Sequence, residues 1–483
     1  MSLTFPELSF RPELRVLSES QIKEIHWASL EVLERTGIVM NHPKALEVLS
    51  GAGCRVDQTR VRIPAWLVED SMRRAPKRLG LGNRDGQRTV ALQGKYSWFG
   101  PSLDCLYYLD PATGERLPFT LEHCAATARL SDALPNFQWA MAIGMAGDQP
   151  PAIADRLVAK TVLENSGQPL VFCCNSLESL KAIHEMALVI AGSRENFQNA
   201  PFLVHYSEPI SPLSYFGPSL EKIIYCSENR IPLIILSAPL SGGTGPANLT
   251  GAMVLGNAES LSGLVLSQVL APGAPFVYGI QASIMDMRST IFSYGSAEGA
   301  LMNCASAALA RFYDLPQFST AGSTDSKYLD AQAGLESAFQ CLSAAASSGG
   351  LIHDCGSWMD HGSLASPEFM VLNNEILHMV NRFMKGFSIN RDSLSVKVID
   401  EVGPGGHFLQ HPATRRDFKE VFYSKLFDRS MAEKPGQPKF NERLQTLTLD
   451  LMKRQPTPLA PEKARELDRM EEGWRRALEH QPI

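Results

Sequence analysis

The chain has 483 residues, 44% hydrophobic and 20% charged, which is enough for one large buried core with appendages. A net charge of −6 without a run of five like charges excludes an extended nucleic-acid footprint or a basic membrane patch. Gly, Pro, Ser or Gln cuts the apolar stretches before about 18 residues, and residues 1–20 carry acids and prolines, so neither a membrane span nor a secretory signal is expected.

In chain order, residues 17–37 read as an amphipathic helix opened by the capping box Ser18-x-x-Gln21 and closed by Gly37. A second helix spans about 43–50, and a third follows Pro64. Between residues 78 and 120 the period falls to two, with turns at Asp85-Gly86 and 110–114, which predicts small antiparallel hairpins. From residue 136 short apolar strands begin near Phe137, Pro169, Pro201, Pro232, Pro275, Pro316 and Leu351, spaced 31–43 residues apart with helical stretches between. Five start at a proline, where a missing N–H does least harm. Strands apolar on both faces alternating with helices mean a parallel sheet, and seven units in one run favour closure. The expected fold is an α/β, (β/α)8 TIM-type barrel over 136–400, with an N-terminal α+β extension over 1–135. A turn-rich, helical C-terminal segment follows over 401–483 and ends in a charged helix at 461–478. Residues 96–99 and 395–399 compete for the eighth strand.

A parallel barrel carries its chemistry at the carboxyl ends of its strands. Those ends hold Cys173, Cys174 and Asn175, then His205, Tyr206, Ser207 and Glu208. Next come 237–245, Tyr278 with Gln281, 320–330 and 353–361. The stretch 319–336 is the densest in polar groups. Asp325, Lys327, Gln332 and Glu336 either bind a substrate's polar groups or form a capping network with Asp330 as N-cap. His353 is either a satisfied core histidine or a base, carboxylate partner or methyl acceptor. The loop Ser241, Gly242, Gly243, Thr244 is a possible anion cradle but lacks the Lys of a P-loop, so a tight packing turn competes with it. The aromatics Trp98, Phe99, Tyr206, Tyr278, Phe318 and Trp358 could box a quaternary ammonium or simply pack. No CxxC or HExxH is present, so no metal site is expected. Nine cysteines, an odd number without framework spacing, suggest a reducing compartment, hence the cytoplasm.

Several segments together are distinctive: 322–336 (GSTDSKYLDAQAGLE), 206–214 (YSEPISPLS), 239–252 (PLSGGTGPANLTGA), 256–275, 286–289 (DMRS), 401–409 (EVGPGGHFL) and 16–38. In these the chain resembles the trimethylamine methyltransferase (MttB) family, over almost its whole length. Founding members carry pyrrolysine in the barrel, and this sequence has none, so it looks like the non-pyrrolysine branch. The resemblance implies methyl transfer from a quaternary amine, such as glycine betaine, to the Co(I) corrinoid (cobalamin) of a partner corrinoid protein. Proline betaine, carnitine and γ-butyrobetaine are alternative substrates, and a non-catalytic corrinoid-protein-binding homologue is the rival reading. A homo-oligomer without nucleic acid or membrane partners is implied as well.

On this reading His353, Asp325 and Lys327 are the candidate catalytic residues. Tyr206, Glu208, Tyr278, Phe318, Gln332, Glu336, Trp358 and Phe99 are candidates for the substrate, and Ser241, Gly242, Gly243 and Thr244 for the cofactor. Acids near the reacting methyl group would favour the charged ground state, so those of 325–336 are expected to face the corrinoid or the substrate's distal end.

Overall fold

The computed structural model describes residues 12–93, 96–347, 349–431 and 436–479. At its centre seven parallel strands form one sheet: β1 (Trp98–Phe99), β2 (Leu170–Phe172), β3 (Leu203–Ser207), β4 (Leu233–Ser237), β5 (Phe276–Ile280), β6 (Gln317–Thr320) and β7 (Leu351–His353). Their spatial order is β1-β7-β6-β5-β4-β3-β2. Residues 138–140 close the ring between β2 and β1. Gln138 N–H donates to Phe99 O (2.9 Å), Ala140 N–H to Pro169 O (2.7 Å), and Val171 N–H to Ala140 O (3.0 Å). The result is an eight-stranded parallel barrel. Of the two competitors for the unplaced strand, Trp98–Phe99 is in the ring, whereas Val396–Val402 is a helix outside it. Close approach explains a glycine after β1: a Cβ on Gly100 would lie 2.3 Å from the Trp139 ring.

Alternation along each strand sends side chains to opposite faces. Val171, Val204, Tyr206, Ile234, Leu236, Val277, Phe318 and Leu351 fill the lumen. Phe172, Leu203, Leu233, Ile235, Phe276, Tyr278 and Ile280 pack outward against the helices. An antiparallel hairpin, Leu79–Gly82 with Arg88–Leu92, belongs to the lumen cluster through Leu79, Leu81, Val90 and Leu92. The predicted turn at Asp85-Gly86 thus folds a hairpin that plugs one end of the barrel and leaves the other for chemistry.

The N-terminal helix Glu19–Glu31 carries the Ser18/Gln21 capping box, and its chain turns at Gly37 with φ +75°. It packs on Leu249–Leu270, a helix long and apolar enough to cross a bilayer by length and composition. Of its most apolar window, 78% is buried inside the fold, against the helices Ala65–Arg74 and Gly217–Asn229 and strands β4 and β5. The terminal helix Pro461–Glu479 lies on Ala154–Asn165 and Leu177–Ala191. There Lys160 Nζ donates to Asp468 Oδ1 and Glu471 Oε2, both at 2.7 Å.

Candidate active site

At the carboxyl end of the barrel lies a cavity of about 490 Å³. Tyr206, Phe292, Tyr294 and Trp358 give it aromatic walls, Asp104 and Glu208 give it carboxyl groups, and Lys222 gives it an ammonium. The Tyr294 and Trp358 ring centroids are 4.3 Å apart, and those of Phe292 and Tyr294 are 4.5 Å apart. Electron-rich faces around a space that also holds carboxyl groups suit an organic cation.

Each wall residue is held by the loop that carries it. Glu208 follows β3, and the loop beyond it, through the cis Ser211-Pro212 bond, is pinned by the buried Glu259. That carboxylate accepts from Ser211 Oγ and Leu213 N–H, both at 2.7 Å, and from Ser237 Oγ. Tyr206 OH donates to Glu208 Oε1. Tyr294 stands on the loop after β5, which Asp325 fastens by accepting from Ser293 Oγ, Tyr294 N–H (2.8 Å) and Gly295 N–H (3.1 Å). Lys222 Nζ donates to the Cys174 carbonyl. Asp104 follows β1 with φ +63°, a conformation Asp tolerates better than most residues.

Partial desolvation among the cavity walls, although the residue stays open to solvent, and neighbouring Asp104 push the Glu208 carboxyl up to about 7. Near neutral pH it is therefore divided between its neutral and ionised forms. The Cys173 thiol, which also lines the cavity, is pushed well above its usual range by burial and by Asp104 and Glu208. It stays protonated and is no nucleophile.

His353 lies beneath this cavity, fully buried. Its Nδ1 is 2.8 Å from the Ser319 carbonyl and so carries the proton, while burial lowers its pKa to about 4. The Phe318 ring stacks on it at 4.4 Å. Nε2 is 3.4 Å from Oδ1 of Asp354, whose carboxyl burial raises well above its usual range. Burial thus disfavours the charged form of both groups. The other oxygen, Oδ2, accepts from Thr320 Oγ1 and from Nε2 of Gln281 (3.2 Å), and Gln281 lines the cavity. His353 supports the floor and does not reach the ligand space.

Of the candidate catalytic, substrate and cofactor residues, Tyr206, Glu208 and Trp358 line the cavity, as do Cys173, Ser207, Ala238 and Gln281 from the strand ends. Phe99 and Tyr278 lie on the outer faces of their strands, and Tyr278 OH donates to Asn257 Oδ1 at 2.7 Å. Phe318 faces the lumen but is fully buried below the cavity. Among the polar residues of 319–336, Glu336 accepts from Thr324 Oγ1, Asp325 N–H (3.0 Å) and Gln332 Nε2 (2.8 Å). Lys327 Nζ donates to Asp325 O and to His361 Nε2, both at 2.9 Å. Since an ammonium only donates, the His361 proton sits on Nδ1, which faces Asp325 Oδ1 at 3.2 Å. Asp330 Oδ1 accepts from Ala333 N–H at the start of helix Ala331–Ser347. Asp325, Lys327, Gln332 and Glu336 therefore form the capping-network alternative rather than a wall of the cavity.

Ser241, Gly242, Gly243 and Thr244 make a self-closed turn. Gly242 N–H donates to Gly245 O, and Gly243 and Gly245 N–H donate to Leu240 O, so these amides are not available to cradle an anion. Thr244 Oγ1 accepts from Leu240 N–H. Asp104, Lys222, Phe292 and Tyr294 are wall residues that sequence reasoning did not single out. The pair of aromatics in the polar loop after β5 was the available signal for the last two. Asp104 was hidden because β1 had not been placed.

Residues 3–471 match the trimethylamine methyltransferase (MTTB) family. The chain belongs to that family. It is 33% identical over 423 residues to the glycine betaine methyltransferase of Desulfitobacterium hafniense (strain Y51), covering 87% of this chain and 88% of that protein. It is 32% identical to the trimethylamine methyltransferase MttB of Desulfitobacterium hafniense (strain DSM 10664 / DCB-2), covering 92% and 91%. The monomethylamine methyltransferase (MtmB) structure from Methanosarcina barkeri aligns over 77% of this chain and 75% of that one, with a TM-score of 0.49 and 13% identity. A methyltransferase of this family acts on a methylated amine, and the aromatic, acid-bearing cavity has the chemistry to hold one in its charged form.

Proposed function

We propose that this protein transfers a methyl group from a quaternary amine, glycine betaine or a similar betaine, to the Co(I) corrinoid of a partner protein. The observation that carries this reading is the aromatic cavity formed by Tyr206, Phe292, Tyr294 and Trp358 at the catalytic end of the barrel. The relation to a glycine betaine methyltransferase supports the substrate class. A quaternary nitrogen needs no proton to become a leaving group, because methyl loss yields a neutral tertiary amine. Aromatic faces hold such a cation through their quadrupoles without offering it a hydrogen bond.

The chain's own residues would act by binding and electrostatics. The aromatic walls replace water around the ammonium and restrict its orientation. Lys222, facing the same space, is the counter-charge for a betaine carboxylate. In its neutral form Glu208, held by Tyr206 OH, spares the departing positive charge a carboxylate that would stabilise the ground state. The corrinoid, when presented by its partner, supplies the nucleophile. Exposed Leu106, Met145, Ile210 and Met287 offer apolar surface on which a partner protein could dock. His353, enclosed under Phe318, is not assigned a relay role. All nine cysteines are free, which suits the reducing cytoplasm that such a reduced acceptor requires.

The test is incubation with a reduced corrinoid acceptor and glycine betaine, proline betaine, carnitine, γ-butyrobetaine or trimethylamine, following the corrinoid absorbance. Methyl transfer from a quaternary amine and none from trimethylamine is expected. Transfer from trimethylamine alone, or from no methylated amine, overturns the reading.

A further inference from the structure

Beside the aromatic cavity lies a second one of about 300 Å³, and Leu103, Asp104 and Cys173 line both. It is bounded by the end of β2, the segment 141–151 and the start of the helix Ala154–Asn165. Met141, Ala142, Met145, Val158 and Phe172 give it apolar walls. Among the described residues, Asp104 and Asp155 are the charged side chains that line it, and no Lys, Arg or His does. Asp155 is already occupied, accepting from Ser179 Oγ (2.8 Å), Arg156 N–H (2.9 Å) and Asn175 N–H (2.9 Å).

Size and charge together restrict what this space receives. A cavity of about 150 Å³ already accommodates a benzene ring, so 300 Å³ exceeds the needs of a third N-methyl group. An anionic end would meet carboxylates without a counter-charge. Lys222 lines the aromatic cavity alone, so a carboxylate arm belongs there. We infer that the nitrogen of this protein's substrate carries, besides its methyl groups, an uncharged apolar substituent that occupies the side cavity while the ammonium sits among the aromatic rings. This inference rests on the quaternary-amine reading and narrows it: the substrate is bulkier than glycine betaine.

Calorimetric titration of the full chain tests it with four probes: tetramethylammonium, butyltrimethylammonium, benzyltrimethylammonium and the ω-carboxylated counterpart of the butyl compound. The benzyl and butyl probes should bind about tenfold or more tightly than tetramethylammonium, as expected for burying an aromatic or aliphatic side chain. The carboxylated probe, whose arm Lys222 draws into the aromatic cavity, should bind equally well whether the side cavity is open or filled. Val158→Trp, which fills the side cavity, should abolish the preference and leave tetramethylammonium binding unchanged. Ala154→Leu serves as a milder filling variant should the tryptophan lower the Tm. Equal binding of tetramethylammonium and the larger probes overturns the side-cavity inference and leaves the aromatic site standing. No binding of tetramethylammonium at all removes the quaternary-amine reading itself, and the inference with it.

Discussion

Two pairs of carboxyl groups sit at the same end of this barrel and do opposite things. Asp325 and Glu336 each accept three hydrogen bonds, among them backbone N–H groups of the loops they fasten. Among the described residues, Asp104 receives no hydrogen bond and Glu208 takes one, from Tyr206 OH. The first pair has its acceptor capacity filled by the protein, whereas the second leaves it open to the cavity. Density of polar residues along the chain drew attention to the first pair, and the cavity is lined by the second. Acids crowded in sequence are those best able to satisfy one another locally, so crowding marks a fastener as readily as a site.

The largest expected effect in this comparison is on stability. Asp325→Ala strands the Ser293 hydroxyl and two backbone amides, so we expect a loss of roughly 2–4 kcal/mol. It should appear as a clear fall in Tm, accompanied by weaker cation binding as Tyr294 loses its support. An unchanged Tm would erase the distinction between the two pairs.

A smaller effect is expected at Glu208. Its carboxyl titrates near pH 7, and only the ionised form attracts a cation. Affinity for tetramethylammonium should therefore rise as pH increases through about 7 and fall as the group protonates below it. In Glu208→Gln the profile should be flat across that window, with the Tm near that of the parent. A wild-type profile that is flat, or one that survives the substitution, would show that Glu208 is not the titrating group at the ligand.

The smallest effect separates the two faces of one strand. Tyr278→Phe removes the bond to Asn257 behind the barrel wall, at a cost of about 1 kcal/mol. Amine affinity should not change. A lowered affinity with intact stability would mean that Tyr278 communicates with the cavity after all.

Much of the architecture was legible before any coordinates. The apolar runs starting at Pro169, Pro201, Pro232, Pro275 and Pro316 became β2 to β6, because a strand buried on both faces must be apolar at successive positions. The hairpin turn at Asp85-Gly86 was equally plain from an Asp-Gly pair within a period-two stretch, and Gly86 does stand at φ +78°. β1 was ambiguous because Trp98–Phe99 is only two residues long and has almost no pattern to read. The role of the hairpin as a plug was not visible, for nothing in its alternation says which apolar surface will receive it. Within the candidate site, Tyr206, Glu208 and Trp358 were reachable from their positions at strand ends, whereas Phe292 and Tyr294 sit well beyond β5 on a loop that folds back.

The sequence by itself determined the repeating strand–helix units, the parallel ring they imply and the family to which the chain belongs, because these depend on local periodicity and on extended matching of residues. Only the tertiary structure decided which face of each strand meets the lumen, which carboxyl groups are already satisfied and where a second cavity opens beside the first. Those outcomes depend on distances between segments far apart in the chain, such as Asp104 and Glu208 or Asp325 and Tyr294. No local pattern encodes such distances.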